Sequence, residues 1–325
     1  MKSVVVFTFI LLSLSFAASV ATADLSNIQT QWETASKANG NKAVIDALNT
    51  KAVNKGLLQW VLEQDADRVE DLADKAVKQY PNAAQLWYLR GRIHANQASK
   101  SVFSALSHAK KALSSFQQAS SLNPEEVVYL NGVFGFYLNA PSIAGGDIEK
   151  AEAIARDTIS IDPRSGYYNL LALAYSKGLP EKDDWIAEAN EKVGALPEFT
   201  LVEGNQYLRE KEYDKAATLF EMVGKNTNND DKSREFKLIA LFQLGRTAAS
   251  AERYSLEAQQ ALERFVASNE SFFNLPSKEW GEVYLAELYL LNNNKNGAET
   301  RLNRIDVKHN NRLAKKVKAL RKRLN

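Results

Sequence analysis

PEFTLVEGNQYLREKEYDKAATLFEMVGKNTN, residues 197–228, decides how this chain folds. Small residues stand at Gly204 and Ala216, and large apolar or aromatic ones at Leu201, Tyr207, Tyr213, Phe220 and Val223. Tyr207 follows Gly204 by three positions, Ala216 by twelve and Phe220 by sixteen. Two helices that meet face to face need small residues where their backbones approach and aromatics to fill the gaps beside them. The spacing predicts a helix–turn–helix unit with a period of about 34 residues.

The same punctuation runs along the chain. Pro81, Pro124, Pro163 and Pro197 are spaced by 43, 39 and 34 residues, and Pro276 follows. Proline is tolerated where a helix opens, because the N–H it lacks has no partner there. Reading back from each proline, Val69/Ala73/Ala76, Ala112/Phe116/Ala119 and Ala151/Ala155/Thr158 keep intervals of four and three, one face of a helix. First helices are predicted at 83–97, 125–138, 164–177 and 198–210, a less regular pair at 231–249 and 252–268, and a further pair over 277–305. Gly91 to Pro124 is about nine residues too long for this period and Gly132 to Pro163 about seven. The excess is HANQASKSVF in the first and YLNAPSIAGGD in the second.

These motifs resemble the tetratricopeptide repeat, in the form found in secreted or periplasmic bacterial proteins. The resemblance implies an all-α fold, an α-solenoid of stacked antiparallel helix pairs in a right-handed superhelix. It implies a binding surface rather than a catalyst, with the first helices lining a concave groove. Carried over by register, the partner-binding positions are Tyr88, Arg92 and Asn96, then Tyr129, Val133, Phe136 and Tyr137, then Asn169, Leu173 and Lys177, then Asn205 and Arg209. Tyr129, Phe136 and Tyr137 form the strongest patch, since aromatics and arginine dominate binding hot spots. The competing reading is that they fill the space beside the long loop. The carboxylate clamp of chaperone-binding members requires lysine where Leu201 stands, so that subclass is disfavoured.

The organisation expected is a signal peptide at 1–23, an irregular helical N-terminal cap at 24–65, helical repeats over 66–310 and a basic capping helix at 311–325. Lys2, the apolar run Val4–Ala18 and the Ala21-Thr22-Ala23 site have the form of a secretory leader. The chain is therefore expected to be periplasmic or secreted, with no transmembrane segment after cleavage. The absence of cysteine excludes disulfides, thiolate metal sites and cysteine nucleophiles. Charge is uneven: Arg301–Asn325 holds ten Lys or Arg and one acid, whereas residues 24–300 hold thirty basic and thirty-eight acidic residues. Leu313, Val317, Leu320 and Leu324 make the tail an amphipathic basic helix. It either caps the last repeat or attracts an anionic envelope surface. No aromatic residue interrupts the basic run for base stacking, which argues against nucleic acid.

No nucleophile–base, zincin, P-loop or dinucleotide motif is present, so neither an enzyme nor a cofactor is expected. His94 and His108 could approach across one helix pair; two ordinary interfacial histidines are the plainer reading. Gly145-Gly146-Asp147 could offer free N–H groups to an anion at a helix start, or simply form a tight turn into an N-cap. The functional expectation is a non-enzymatic adaptor in the bacterial envelope that holds a partner segment. The alternatives are a small-molecule binder closed by loops at 95–104 and 138–147, and a peripheral envelope protein working through the basic tail.

Overall fold

The computed structural model describes residues 45–46, 48–49, 66–100, 104–270, 272, 275–305, 307 and 311–324. The expected leader lies outside the described residues, and so does the expected N-terminal cap except for four helical positions. Of these four, Ile45 and Leu48 are buried, and Asp46 accepts a hydrogen bond from the Tyr80 hydroxyl at 2.7 Å. The described regular structure is all helical, and it falls into two compact units, 1–173 and 174–325.

In the first unit α1 (Ala66–Gln79) precedes the hairpin of α2 (Ala84–Lys100) and α3 (Ala105–Leu122). Then come α4 (Val127–Asn139), a 3-10 turn (Ser142–Ala144) and α5 (Ile148–Ile161). The boundary between the units falls within α6 (Pro163–Lys177). The second unit continues with α7 (Lys182–Val193), α8 (Pro197–Arg209) and α9 (Tyr213–Gly224). It ends with α10 (Asp231–Ser250), α11 (Leu256–Ala267), α12 (Lys278–Leu291), α13 (Lys295–Leu302) and α14 (Asn311–Leu324). Each proline marker sits at a helix start: Pro163 opens α6, Pro197 opens α8, and Pro81, Pro124 and Pro276 lie two or three residues ahead of α2, α4 and α12. Polar caps satisfy the first N–H groups. Asp147, Asp230, Ser255 and Asn294 accept from the backbone N–H of Lys150, Ser233, Ala258 and Gly297.

Partners within a hairpin run in opposite order, which makes the pairs antiparallel. Arg90 reaches Ser115 while His94 meets His108; Phe242 packs on Phe265 while Gly245 faces Leu262. At three hairpin crossings a glycine (Gly91, Gly204 or Gly245) admits a large neighbour. A Cβ on Gly204 would lie 2.7 Å from the Phe220 ring, and one on Gly91 would lie 2.6 Å from the Phe116 ring. Phe116 also fills the space left by Gly132 of the next helix, where a Cβ would come within 2.9 Å. The unit read from residues 197–228 is therefore present as drawn.

One regularity of the second unit has only a partial sequence signature, a glycine or asparagine at two of its four positions. Gly178, Lys211, Glu252 and Asn293 all adopt positive φ, at 64°, 64°, 52° and 56°. Each ends a first helix. The next N–H (Leu179, Glu212, Arg253, Asn294) reaches back to the carbonyl of Ala174, Tyr207, Ala248 and Tyr289, at 2.8–3.1 Å. This is the Schellman closure, which satisfies carbonyls left over at a helix end. Two of the four, Lys211 and Glu252, have side chains that gain nothing from a left-handed backbone, whereas glycine and asparagine adopt it readily. The fold, not local preference, holds Lys211 and Glu252 there.

The first long insertion lengthens helices: residues 95–100 are the last turns of α2. The second is folded tightly on itself. Gly145 N–H and Gly146 N–H donate to the carbonyls of Ser142 and Pro141, and Asp147 N–H to that of Tyr137, each at 3.0 Å. Gly145 is left-handed at φ 99°, and a Cβ on Gly146 would lie 1.7 Å from the Ala140 carbonyl oxygen. The three N–H groups considered for an anion are already used, so the tight-turn reading holds. In α14, Leu313, Val317 and Leu320 are buried against Val283, Ala286, Ala298 and Leu302 of α12 and α13. The apolar stripe is thus consumed by packing, and only the charged face of α14 meets solvent. Among the described residues no helix is long and apolar enough to cross a membrane.

Candidate functional site

The residues expected to line a groove separate into two groups. Tyr88, Val133, Phe136, Tyr137 and Asn169 are buried, the first, third and last completely, and Leu173 is buried with them. They are not presented to a ligand, and this corrects the register carried over from the repeat family. The physical reason is that a first helix packs both on its own second helix and on the first helix of the next pair. Tyr88 stacks on Tyr129 with ring centroids 5.4 Å apart, α2 against α4. Asn169 donates to Asn131 at 2.7 Å, α6 against α4, and Gln243 donates to Asn205 at 2.7 Å, α10 against α8. Positions read as groove wall are rungs between successive pairs. Phe136 and Tyr137 pack edge to face, and the Tyr137 hydroxyl accepts from Gln117 at 3.0 Å. They fill the space beside the long loop, as the competing reading held.

Six of the expected residues retain surface, among them the half-buried Asn96 and the exposed Lys177. Tyr129 and Arg92 are half-buried; Arg92 donates to the Tyr88 hydroxyl at 3.0 Å, and burial pushes the Tyr129 hydroxyl up to about 12, so it stays a neutral donor. Asn205 is half-buried, and Arg209 is exposed and bonded to Gln206. Arg92 and Tyr129 belong to the first unit, and Asn205 and Arg209 to the second.

A more convergent surface lies at the C-terminal end of the second unit, at residues not selected from the sequence. A cavity of about 450 Å³ is lined by Ala249 and Ser250 at the end of α10, by Trp280, Tyr284 and Glu287 of α12, and by Arg312, Lys315 and Lys316 of α14. Its aromatic wall is half-buried, with the Trp280 and Tyr284 rings 5.9 Å apart and Tyr284 braced edge-on against Phe242 at 5.6 Å. Arg312 lies 5.7 Å over the Trp280 ring, an attraction to the negative face of the indole. Lys316 is held by Glu287 at 2.7 Å, with Arg323 3.5 Å from the same carboxylate. Glu287 is only 7% exposed, so its charge is spent on this internal network. Lys315 is exposed and has no carboxylate partner among the described residues. The cleft thus offers an apolar aromatic wall beside Arg312 and Lys315, neither of which has a carboxylate partner among the described residues. The available signal was Trp280/Tyr284 and Arg312/Lys315/Lys316 at helical intervals of four and three. The apolar stripe of α14 marked it as a cap on the last repeat, but nothing in the sequence says that its basic residues come to Trp280 and Tyr284.

The antiparallel hairpins, the glycine–aromatic crossings and the repeated Schellman turns define an all-α, tetratricopeptide-like helical-repeat protein. No protein-family model and no curated protein sequence matches the chain. Among solved structures, it is similar to a chain of the APC/C hetero-tetramer Cut9-Hcn1, at 15% identity and a TM-score of 0.43. It is also similar to yeast Tom70, at 11% identity and a TM-score of 0.45. The match covers 93% of this chain and 55% of the first protein, and 97% of this chain and 67% of the second.

Proposed function

We propose that this chain is a non-enzymatic interaction scaffold of the bacterial cell envelope, and that its C-terminal cleft holds an acidic, aromatic- or leucine-bearing segment of a partner protein. The observation that carries the reading is the pairing of the Trp280/Tyr284 wall with the unneutralised Arg312 and Lys315. An extended acidic segment gains charge-assisted contacts at the rim while one apolar side chain is desolvated against the rings. The commitment of the Leu313/Val317/Leu320 stripe to the core favours a protein partner over insertion of α14 into a lipid surface. The leader-like residues 1–23 support the envelope assignment.

Selection from a random peptide display library against the chain without residues 1–23 tests the cleft. Enrichment of Asp/Glu-rich sequences containing Trp, Phe or Leu is expected, with affinity falling at least tenfold in Arg312→Glu/Lys315→Glu and falling further with salt. Peptides without acidic enrichment, or binding indifferent to the double variant, would remove the reading. Envelope location is tested separately, by fractionating cells that express the full chain; recovery with the cytoplasm at full length would refute it.

A further inference from the structure

The first unit holds a cluster that the scaffold reading does not use. Glu70 on α1, His94 on α2 and His108 on α3 bring one ligand atom each to within 4.8 Å of one another. His94 Nδ1 and His108 Nδ1 face each other at 3.2 Å. Glu70 Oε1 is 3.9 Å from the first and Oε2 is 3.7 Å from the second. We propose that these three residues are the protein ligands of a first-row divalent transition-metal site, best matched to Zn²⁺, that fastens α1 to the α2–α3 hairpin.

The distances fit a tetrahedral ion. With Zn–N and Zn–O bonds of about 2.0–2.1 Å, adjacent ligand atoms stand about 3.3–3.4 Å apart. The two nitrogens already have this separation. Glu70 Oε2, 3.7 Å from His108, must come in by roughly half an ångström there and swing toward His94, which a rotation of the Glu side chain achieves. A fourth position is left for water. The donor set of two imidazoles and one carboxylate suits zinc, copper or nickel and disfavours the oxygen-seeking Mg²⁺ and Ca²⁺.

The surroundings have the form of an outer ligand shell. His94 is completely buried, yet its Nε2 makes no hydrogen bond and stands 3.6 Å from Asp74 Oδ1. Metal on Nδ1 forces the proton onto Nε2 and aims it at this carboxylate, the arrangement that orients a ligating histidine. Asp74 is itself anchored by Arg90 Nε at 2.6 Å. Lys111 Nζ holds Glu70 Oε1 at 2.9 Å. It can keep one oxygen while the metal takes the other, and its side chain is 38% exposed and can draw back from the ion. The Glu70 and His108 side chains, at 23% and 15% exposure, leave a path for entry.

The experiment is calorimetric titration of ZnCl₂ into the full chain after EDTA treatment and dialysis, with Co²⁺ substitution read by visible absorption. One Zn²⁺ per chain, intense tetrahedral Co²⁺ bands, and no competition from excess Mg²⁺ or Ca²⁺ are expected. Affinity should fall more than about 100-fold in His108→Gln and in Glu70→Gln, and about tenfold in Asp74→Asn. Circular dichroism of the metal-free variants separates loss of ligand from loss of fold, and His108→Gln, at the partly exposed edge, is the variant least able to disturb packing. No uptake by the folded wild type, uptake that survives in His94→Gln/His108→Gln, or only weak octahedral Co²⁺ bands would overturn the site.

Discussion

Gly91→Ala should destabilise the first unit, against the ordinary rule for helices. In a helix interior, alanine in place of glycine is worth about 1 kcal/mol of added stability from backbone entropy and propensity. Gly91 sits in α2 where a Cβ would lie 2.6 Å from both Cδ1 and Cε1 of Phe116 and 3.1 Å from Cγ. Three ring atoms at that range cannot be relieved by a rotamer change. Phe116 has no solvent-exposed surface, and it is held on the other side by Gly132 and by Tyr88, whose ring centroid is 5.7 Å away. Forcing a methyl into such packing costs about 1–3 kcal/mol. Set against the propensity gain, the net expectation is a loss of about 1 kcal/mol. The sign is the sharper test, and a double-mutant cycle isolates it. Phe116→Leu alone should cost about 1–2 kcal/mol by leaving a partial cavity. Combined with Gly91→Ala, the losses should fall short of additivity by about 1 kcal/mol, because the leucine vacates the clash. Native-state hydrogen exchange of α2 and α3 amides reads the first unit without assuming that the whole chain unfolds in one step. If Gly91→Ala protects those amides better than wild type, the close crossing of α2 and α3 is not as described.

The metal-free first unit should lose about 2 kcal/mol between pH 7.5 and pH 5. His94, faced by Glu70 and Asp74 of α1, Arg90 of α2, and His108 and Lys111 of α3, has its folded pKa lowered from 6.5 to about 4. The unfolded state binds the proton first, so stability falls as pH drops through this window; a urea series in EDTA that is flat over the same range would contradict it. At the left-handed turn, Lys211→Gly should exceed Lys211→Ala in stability by about 1 kcal/mol, measured by denaturant midpoint. Equal midpoints would mean that Lys211, at φ 64°, is not strained. Leu320 of α14 is 1% exposed, so Leu320→Asp should release the helix and open its basic face to trypsin. Unchanged cleavage would show that the stripe does not hold α14 in place.

The helices and their pairing were legible because they depend on short-range rules. Proline at helix starts, glycine opposite an aromatic sixteen residues on, and small residues at intervals of four and three each reflect a constraint within one hairpin. The groove residues were legible only in part. Tyr88, Val133, Phe136 and Asn169 have the composition of a binding face, but the stacking of successive first helices buries them, and that contact spans about forty residues of sequence. The same distance hides the cleft. Trp280 and Arg312 stand thirty-two positions apart and are joined only by the return of α14.

By itself the sequence determined the class of fold, the antiparallel hairpin and its glycine–aromatic crossing, since local periodicity and backbone sterics act within a few turns. The possibility that His94 and His108 meet was also visible there, because both belong to one hairpin. Only the tertiary structure decided which face of each first helix is left to solvent, that Glu70 and Asp74 complete the histidine cluster, and that α14 turns its charges toward Trp280. Those outcomes depend on how one pair stacks on the next. Stacking is set by the summed burial of many side chains from distant segments, and no single spacing encodes it.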